Sequence, residues 1–224
     1  YFGIEKAGVT RSERLLLVAF VAIALIISAA ISLDRFTWLL EVLPVLIGAP
    51  LLVGSAQRFP LTPLLYRLLF LHALVLVVGG TYTYEKVPLG FWLQDVFHLE
   101  RNPYDRLGHL MQGFVPAILA REILLRTSPL IRGGWLFFLV TCVCLAFSAF
   151  YELIEWRVAV NSGAAADAFL GTQGDPWDTQ WDMCCALIGA LSAQLMLAAL
   201  HDRQLAALPV GVAPTTAGPH SPAR

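Results

Sequence analysis

"LLLVAFVAIALIISAAISL", residues 15–33, contains no charged residue and no proline. A helix of roughly 20 apolar residues is what a bilayer's hydrocarbon core demands. A secretory leader is the rival reading, but its apolar core usually runs about 7–15 residues, and this run is longer. We read it as an uncleaved first membrane helix, preceded by Lys6, Arg11 and Arg14. Outward from it the pattern recurs at about 37–56, 63–83, 104–125, 134–157 and 177–200. Of the 224 residues, 58% are hydrophobic and 14% charged, against about 25% charged in a soluble domain. The predicted fold class is all-α: a polytopic membrane protein with six transmembrane helices.

Between the third and fourth spans, "EKVPLGFWLQDVFHLER" (85–101) is too mixed to cross and suits an amphipathic segment lying at the interface. Pro44, Gly48, Pro50 and Gly54 in the second span predict a kinked helix whose neighbours approach closely. Residues 1–14 are expected to form a cytoplasmic segment, 15–200 the membrane domain, and 201–224 a cytoplasmic tail. The tail's Pro, Ala, Thr and Gly predict disorder from residue 209.

Basic residues set the expected orientation. With the N-terminus inside, ten of the 15 Lys and Arg fall in inner segments and five in outer ones, so both termini are expected to be cytoplasmic. Trp38, Trp92, Trp156, Trp177 and Trp181 mark outer boundaries and Trp135 an inner one. A net charge of −1 argues against a nucleic-acid surface. Cys142, Cys144, Cys184 and Cys185 lie in apolar runs without a second pair at zinc-site spacing, and read as small buried residues.

The acidic residues gather on the outer half, and two stretches there share a cadence. "NPYDRLGHL" (102–110) and "DPWDTQWDM" (175–183) align as [N/D]-P-[Y/W]-D-x-x-x-[H/D], each opening an apolar run. Asn102 and Asp175 read as N-caps, with Pro103 and Pro176 at the first helical position. Asp105 and Asp178 suit the first turn, where a carboxylate meets orphan amides and the positive end of the helix dipole. His109 and Asp182 lie four residues further in, about 6 Å deeper on the same face. Gln112 extends that stripe. The fifth span ends at the same surface with Tyr151, Glu152 and Glu155 in "FYELIEWR".

Ionisable groups inside a span cost about 2.5–3.5 kcal/mol each on insertion scales and usually face the bundle interior. Six of them converging from three helices need partners. Three readings fit. Arg101, Arg106 and Arg157 neutralise the carboxylates as internal ion pairs. Alternatively His109, Glu152, Glu155 and Asp182 hold a divalent metal, of which Zn, Mn or Fe suits one imidazole with oxygen ligands. In the third, the cluster is a proton or solute path that His72 extends. If the site is catalytic, His109 is the general acid/base or a metal ligand, and Asp105 and Asp178 orient the others.

The remaining landmarks have plainer expectations. Tyr82 and Tyr84 read as interface residues or headgroup donors, and Asp95 with His98 as a lid or a solvated face. Gly189, with Ala186 and Ala193, reads as a helix-packing stripe. "NSGAAADAFLGTQGD" (161–175) reads as a mobile or re-entrant hairpin.

"YEKVPLGFWLQDVF", "NPYDRLGHLMQGFVPAILAREILLR", "SAFYELIEW" and "GTQGDPWDTQWDM" together resemble the YjdF-like family of predicted bacterial inner-membrane proteins, over roughly residues 12–200. That resemblance implies a six-helix inner-membrane fold and no particular reaction. A weaker similarity is to VanZ-like proteins, a family linked to glycopeptide-antibiotic resistance. Their pattern of Asp-x-x-x-His, Glu, then Asp before a Gly-rich helix would fall on Asp105, His109, Glu152, Asp182 and Gly189, with Glu155 departing from an expected Gln.

Three functions are consistent with these residues. The first is an outer-face His/carboxylate site, metal-binding or not, that binds or acts on a polar or lipid-linked headgroup. The second is a non-catalytic subunit held among other integral membrane subunits of a respiratory or photosynthetic complex. The third is a transporter of protons or a small solute; it sits less well with a motif repeated on two helices running the same way, since inverted repeats relate halves of opposite topology. Membrane lipid is the expected partner throughout.

Overall fold

The computed structural model describes residues 9–162 and 172–208. Seven helices and no strand occur among them: α1 (Arg11–Ile31), α2 (Arg35–Ser55), α3 (Pro63–Thr81), α4 (Pro88–Phe97), α5 (Tyr104–Thr127), α6 (Gly134–Ser162) and α7 (Asp178–Ala207). Local chemistry starts each of the first four. Thr10 Oγ1 accepts from the Glu13 amide at 3.1 Å, and Asp34 Oδ1 from the Thr37 amide at 2.7 Å. Pro63 and Pro88 open α3 and α4 at positions where no amide is needed.

Five of these helices, α1, α2, α3, α6 and α7, are long and apolar enough to cross a membrane. The sixth long helix, α5, is too polar to count among them, and its position explains why. It packs most extensively against α7, and also against α6 and α3. Its Asp105, His109, Arg121 and Glu122 are all buried. A helix surrounded by protein meets side chains rather than lipid and can carry polar groups that its neighbours answer.

The α5–α7 contact is close because small residues line both helices. A Cβ on Gly113 would overlap the Ala186 carbonyl, and one on Gly189 would overlap the Leu110 carbonyl. Ala117, Ala186, Ala190 and Ala193 are fully buried beside them. This fulfils the packing expected at Gly189. The apolar core continues through Leu65, Ile118, Leu136, Val140 and Cys144.

Two expectations about α2 and the chain's end are corrected. Gly48 and Gly54 face open space, so these glycines admit no close neighbour; α2 meets α3 instead near Gly80, where Glu41 and Val42 press in. The last helix continues to Ala207 and buries His201, beyond the boundary at residue 200. The expected disordered tail from 209, and most of the hairpin at 161–175, lie outside the described residues.

Candidate functional site

The repeated cadence builds two matching entrances. Asn102 Oδ1 accepts from the Tyr104 amide at 3.0 Å, and Asp175 Oδ1 accepts from the Trp177 amide at 2.9 Å. Both are Asx turns ahead of the observed caps, Asn102 one residue before Pro103 and Asp175 two before Trp177: the helices begin at Tyr104 and Asp178, after the prolines rather than at them. The turns hold each other. The Asn102 amide donates to Gln173 Oε1 at 3.0 Å, and Gln173 Nε2 donates back to the Asn102 carbonyl at 3.1 Å. Asn102 Nδ2 also donates to the Val87 carbonyl at 3.1 Å, in space left by the missing side chain of Gly90 on α4.

The first acidic rung is largely neutralised by arginine. Arg101 donates to Asp178 and lies 3.7 Å from both Asp105 and Asp175. Arg106 donates to Asp175 at 2.7 Å and stacks over the Trp181 ring at 5.3 Å. Asp105 and Asp178 thus answer guanidiniums, where free helix amides were expected. The ion-pair reading had also enlisted Arg157, which is exposed and makes no ion pair among the described residues.

The second rung is different. His109 Nδ1 lies 2.8 Å from Gln112 Oε1. With that oxygen as acceptor, Nδ1 carries the proton and Nε2 presents its lone pair. Nε2 faces two carboxylates, Asp105 Oδ1 at 3.7 Å and Asp182 Oδ2 at 4.0 Å. Glu152 Oε1 lies 3.7 Å from Nδ1, too far to bond. Asp182 Oδ1 and Glu152 Oε1 are buried without any hydrogen-bond partner. One donor atom each from Asp105, His109 and Asp182 lies within 4.8 Å of the others, the spread a bound cation can close. This trio includes Asp105, which had been expected only to orient, while Glu152 stands beside it and Glu155 outside it.

The polar cluster reaches further than α5, α6 and α7. Tyr151 packs edge-on to His109, centroids 6.5 Å apart, and its hydroxyl donates to Glu41 Oε2 at 3.1 Å. Glu41 on α2 is 6% exposed and had no assigned role in the sequence. Its signals were an isolated acid inside an apolar span and the Gly79–Gly80 pair opposite. Gly80 admits Glu41, while Gly79 and Gly108 together admit the ring of Tyr84. Thr83 and Tyr84 hold left-handed backbone, φ 55° and 51°, which turns that ring into the bundle. Tyr84 is therefore a buried wedge, whereas Asp95 and His98 are exposed and form a solvated face.

The other end of the α5–α7 pair holds a second polar network that the sequence reading overlooked. Arg121 donates to His201 Nδ1 at 2.8 Å, and since a guanidinium only donates, His201 must carry its proton on Nε2. That proton goes to Glu122 Oε2 at 3.0 Å. Glu122 also accepts from the Thr62 amide and hydroxyl and from Arg126 at 2.7 Å. Asp202 lies 2.8 Å from Arg121 and 2.9 Å from Arg132. His72 belongs to neither group; its Nε2 is buried without a partner. All four cysteines are free.

The profile of a family described as "Predicted membrane protein (DUF2238)" matches residues 13–203. The chain belongs to this family. It is 59% identical over 172 residues to "Inner membrane protein YjdF" of Escherichia coli (strain K12), covering 77% of this chain and 82% of that protein. No solved structure matches. With its several apolar helices, this DUF2238 member is an integral inner-membrane protein. The matched region contains both entrance turns and every residue of the two polar networks.

Proposed function

We propose that the protein binds a divalent metal ion with Asp105, His109 and Asp182, beside Glu152, and presents it to a polar or lipid-linked headgroup at the outer face. The observation that carries this reading is the state of the second rung: an imidazole oriented by Gln112 toward two carboxylates, with buried oxygens of Asp182 and Glu152 unanswered. Buried polar atoms without partners are rare in folded proteins and ask for a missing ion or water. Metal-bound histidines almost always donate through their second nitrogen, as Nδ1 does here. One imidazole with carboxylate oxygens suits Zn, Mn or Fe. Such an ion would supply Lewis acidity and an acidified water.

The membrane arrangement belongs to the same proposal. At about 1.5 Å per residue, the 24 residues of α5 are long enough for a hydrocarbon core of about 30 Å. It would be the sixth span, sheltered by α3, α6 and α7. α4 would lie at the interface, where Leu89, Phe91, Trp92, Val96 and Phe97 are exposed. The bias of Lys and Arg favours both termini inside, which would put the His109 centre outside.

Two rival functions fare less well. Ion pairs of a purely structural subunit would leave no orphan oxygens on Glu152 and Asp182. A through-path for solute would have to cross the section where Gly113 and Gly189 bring α5 and α7 into backbone contact and fully buried Ala117, Ile118 and Ala190 fill the space.

The test is elemental analysis of protein purified in mild detergent without chelator. Wild type should retain a tightly held Zn, Mn or Fe ion that His109→Ala and Asp182→Asn lose while still eluting as folded protein. Wild type free of metal even after incubation with each of the three would end this reading. Co-purification of stoichiometric membrane partners with a metal-free chain would favour the structural subunit.

A further inference from the structure

We propose that Arg106 is the recognition group for the ligand, which carries a phosphate held between this guanidinium and the cation of the His109 centre. This rests on the cation reading of that centre and names the chemical group a bound headgroup must present. Both helices place Arg106 for the task. On α5 it lies three residues before His109, which makes the two neighbours on one face. Its guanidinium crosses to α7 and covers the ring of Trp181 at 5.3 Å, and Trp181 directly precedes Asp182. The charged fork therefore lies beside the turn of α7 that supplies a carboxylate of the centre.

That guanidinium is only partly used. Nη2 donates to Asp175 Oδ2 at 2.7 Å, and Arg106 makes no other hydrogen bond among the described residues. Its Nε–H is buried without a partner. Nearly all buried donors are paired, and one left open asks for an acceptor. Stacking on Trp181 holds the guanidinium plane, so the open edge is fixed in direction. The side chain is also 30% exposed, which gives an acceptor a way in from outside. Arg101 differs: it is 11% exposed and engaged with Asp178 and the Thr172 carbonyl.

A planar fork of N–H donors matches the paired oxygens of a carboxylate or a phosphate. A phosphate that fills the fork still has an oxygen for a divalent ion, whereas a carboxylate has none left. Charge makes the two contacts interdependent. On the outer rung two arginines, Arg101 and Arg106, face three aspartates, Asp105, Asp175 and Asp178. An anion is therefore repelled until a cation occupies the centre, and phosphate binding depends on the metal. Trp177 and Trp181 are exposed at the start of α7, and tryptophans settle at the depth of lipid headgroups. A phospholipid offers its phosphate at that level, and free phosphate offers the same group from water.

The experiment loads the chelator-stripped, detergent-purified full chain with Mn²⁺, removes the excess, and titrates it with inorganic phosphate or with micelles containing phosphatidic acid. Binding is read as broadening of the phosphorus NMR signal by the protein-held ion. Arg106→Gln should retain Mn²⁺ but bind phosphate about 10–100-fold more weakly, the loss expected when hydrogen bonds to a charged group are removed. Asp175→Asn breaks the same interhelical ion pair from the other side and keeps the oxygen that accepts from the Trp177 amide. It should bind phosphate at least as tightly as wild type. If both variants lose phosphate alike, or Arg106→Gln binds as wild type does, Arg106 is an interhelical tie and not a recognition group. Loaded wild type that answers neither probe overturns the phosphate assignment and leaves the cation centre standing. An Arg106-dependent response to both probes assigns recognition to the phosphate group itself; a response to one alone assigns its source to the membrane or to water. Wild type that takes up no Mn²⁺ removes both readings.

Discussion

The two ends of the α5–α7 pair use similar residues to opposite effect. At one end Glu122 and His201 are both fully buried, yet every polar atom of theirs has an answer from Thr62, Arg121, Arg126 or each other. At the other end His109 faces two carboxylates across 3.7 and 4.0 Å, and oxygens of Asp182 and Glu152 have no partner. A pair answered at every atom, as Glu122 and His201 are, fastens helices. An unfinished one, in the same pair of helices and at comparable burial, is tuned to something that arrives later. The difference separates structure from function within one chain.

The sharpest way to break that contrast is to remove an acid from the finished end. Glu122→Ala would strand the Arg126 guanidinium, the His201 proton and the Thr62 amide in the interior. Removing one partner of a buried ionic network costs about 3–5 kcal/mol, so the variant should show a large loss of thermal stability in detergent or fail to accumulate. Stability close to wild type would show that this end is not the fastening we describe. Next in size is the middle of the pair. Gly113→Ala drives a methyl group into the Ala186 carbonyl and should cost about 1–3 kcal/mol, the usual penalty of overpacking. Because it spreads the helices between the two ends, it should also weaken metal retention at the far end.

The outline of the fold was legible in the sequence because lipid imposes a simple rule: long uncharged runs, basic residues to one side, tryptophans at the borders. The entrance turns were legible in part, since Asn-Pro and Asp-Pro announce a helix start. Their oxygens nevertheless reach only two residues on, Asn102 to the first amide of α5 at Tyr104 and Asp175 to the amide of Trp177 just before α7. The deeper half of the site, His109 and Asp182, could be read from spacing because helical periodicity puts both one turn below a first-turn acid. Glu41 could not be placed this way. Its partner Tyr151 is 110 residues away, and no local pattern on α2 says which helix it meets. The His201–Glu122 pair was hidden for the same reason, being 79 residues apart in sequence. Gly79 and Gly80 were the unused clue, as adjacent glycines at a helix end invite neighbours on both sides.

The smallest expected effect is the most discriminating. Asp182→Asn alters a buried acid of α7 much as Glu122→Ala alters one of α5, but Asp182 Oδ1 answers nothing, and the nearest imidazole, His109 Nε2, stands 4.0 Å from its other oxygen, too far to bond. In chelator, where no cation is bound, removing this charge relieves repulsion and leaves no partner stranded. Melting in EDTA should therefore be unchanged or slightly higher than wild type, within the range of about 0.5 kcal/mol typical of benign substitutions. Adding metal at about 100 times its dissociation constant should stabilise wild type by about 2.7 kcal/mol through mass action, and the variant hardly at all. A destabilisation in EDTA as large as that of Glu122→Ala would mean that both ends fasten the helices and that the unanswered oxygens find partners within the protein.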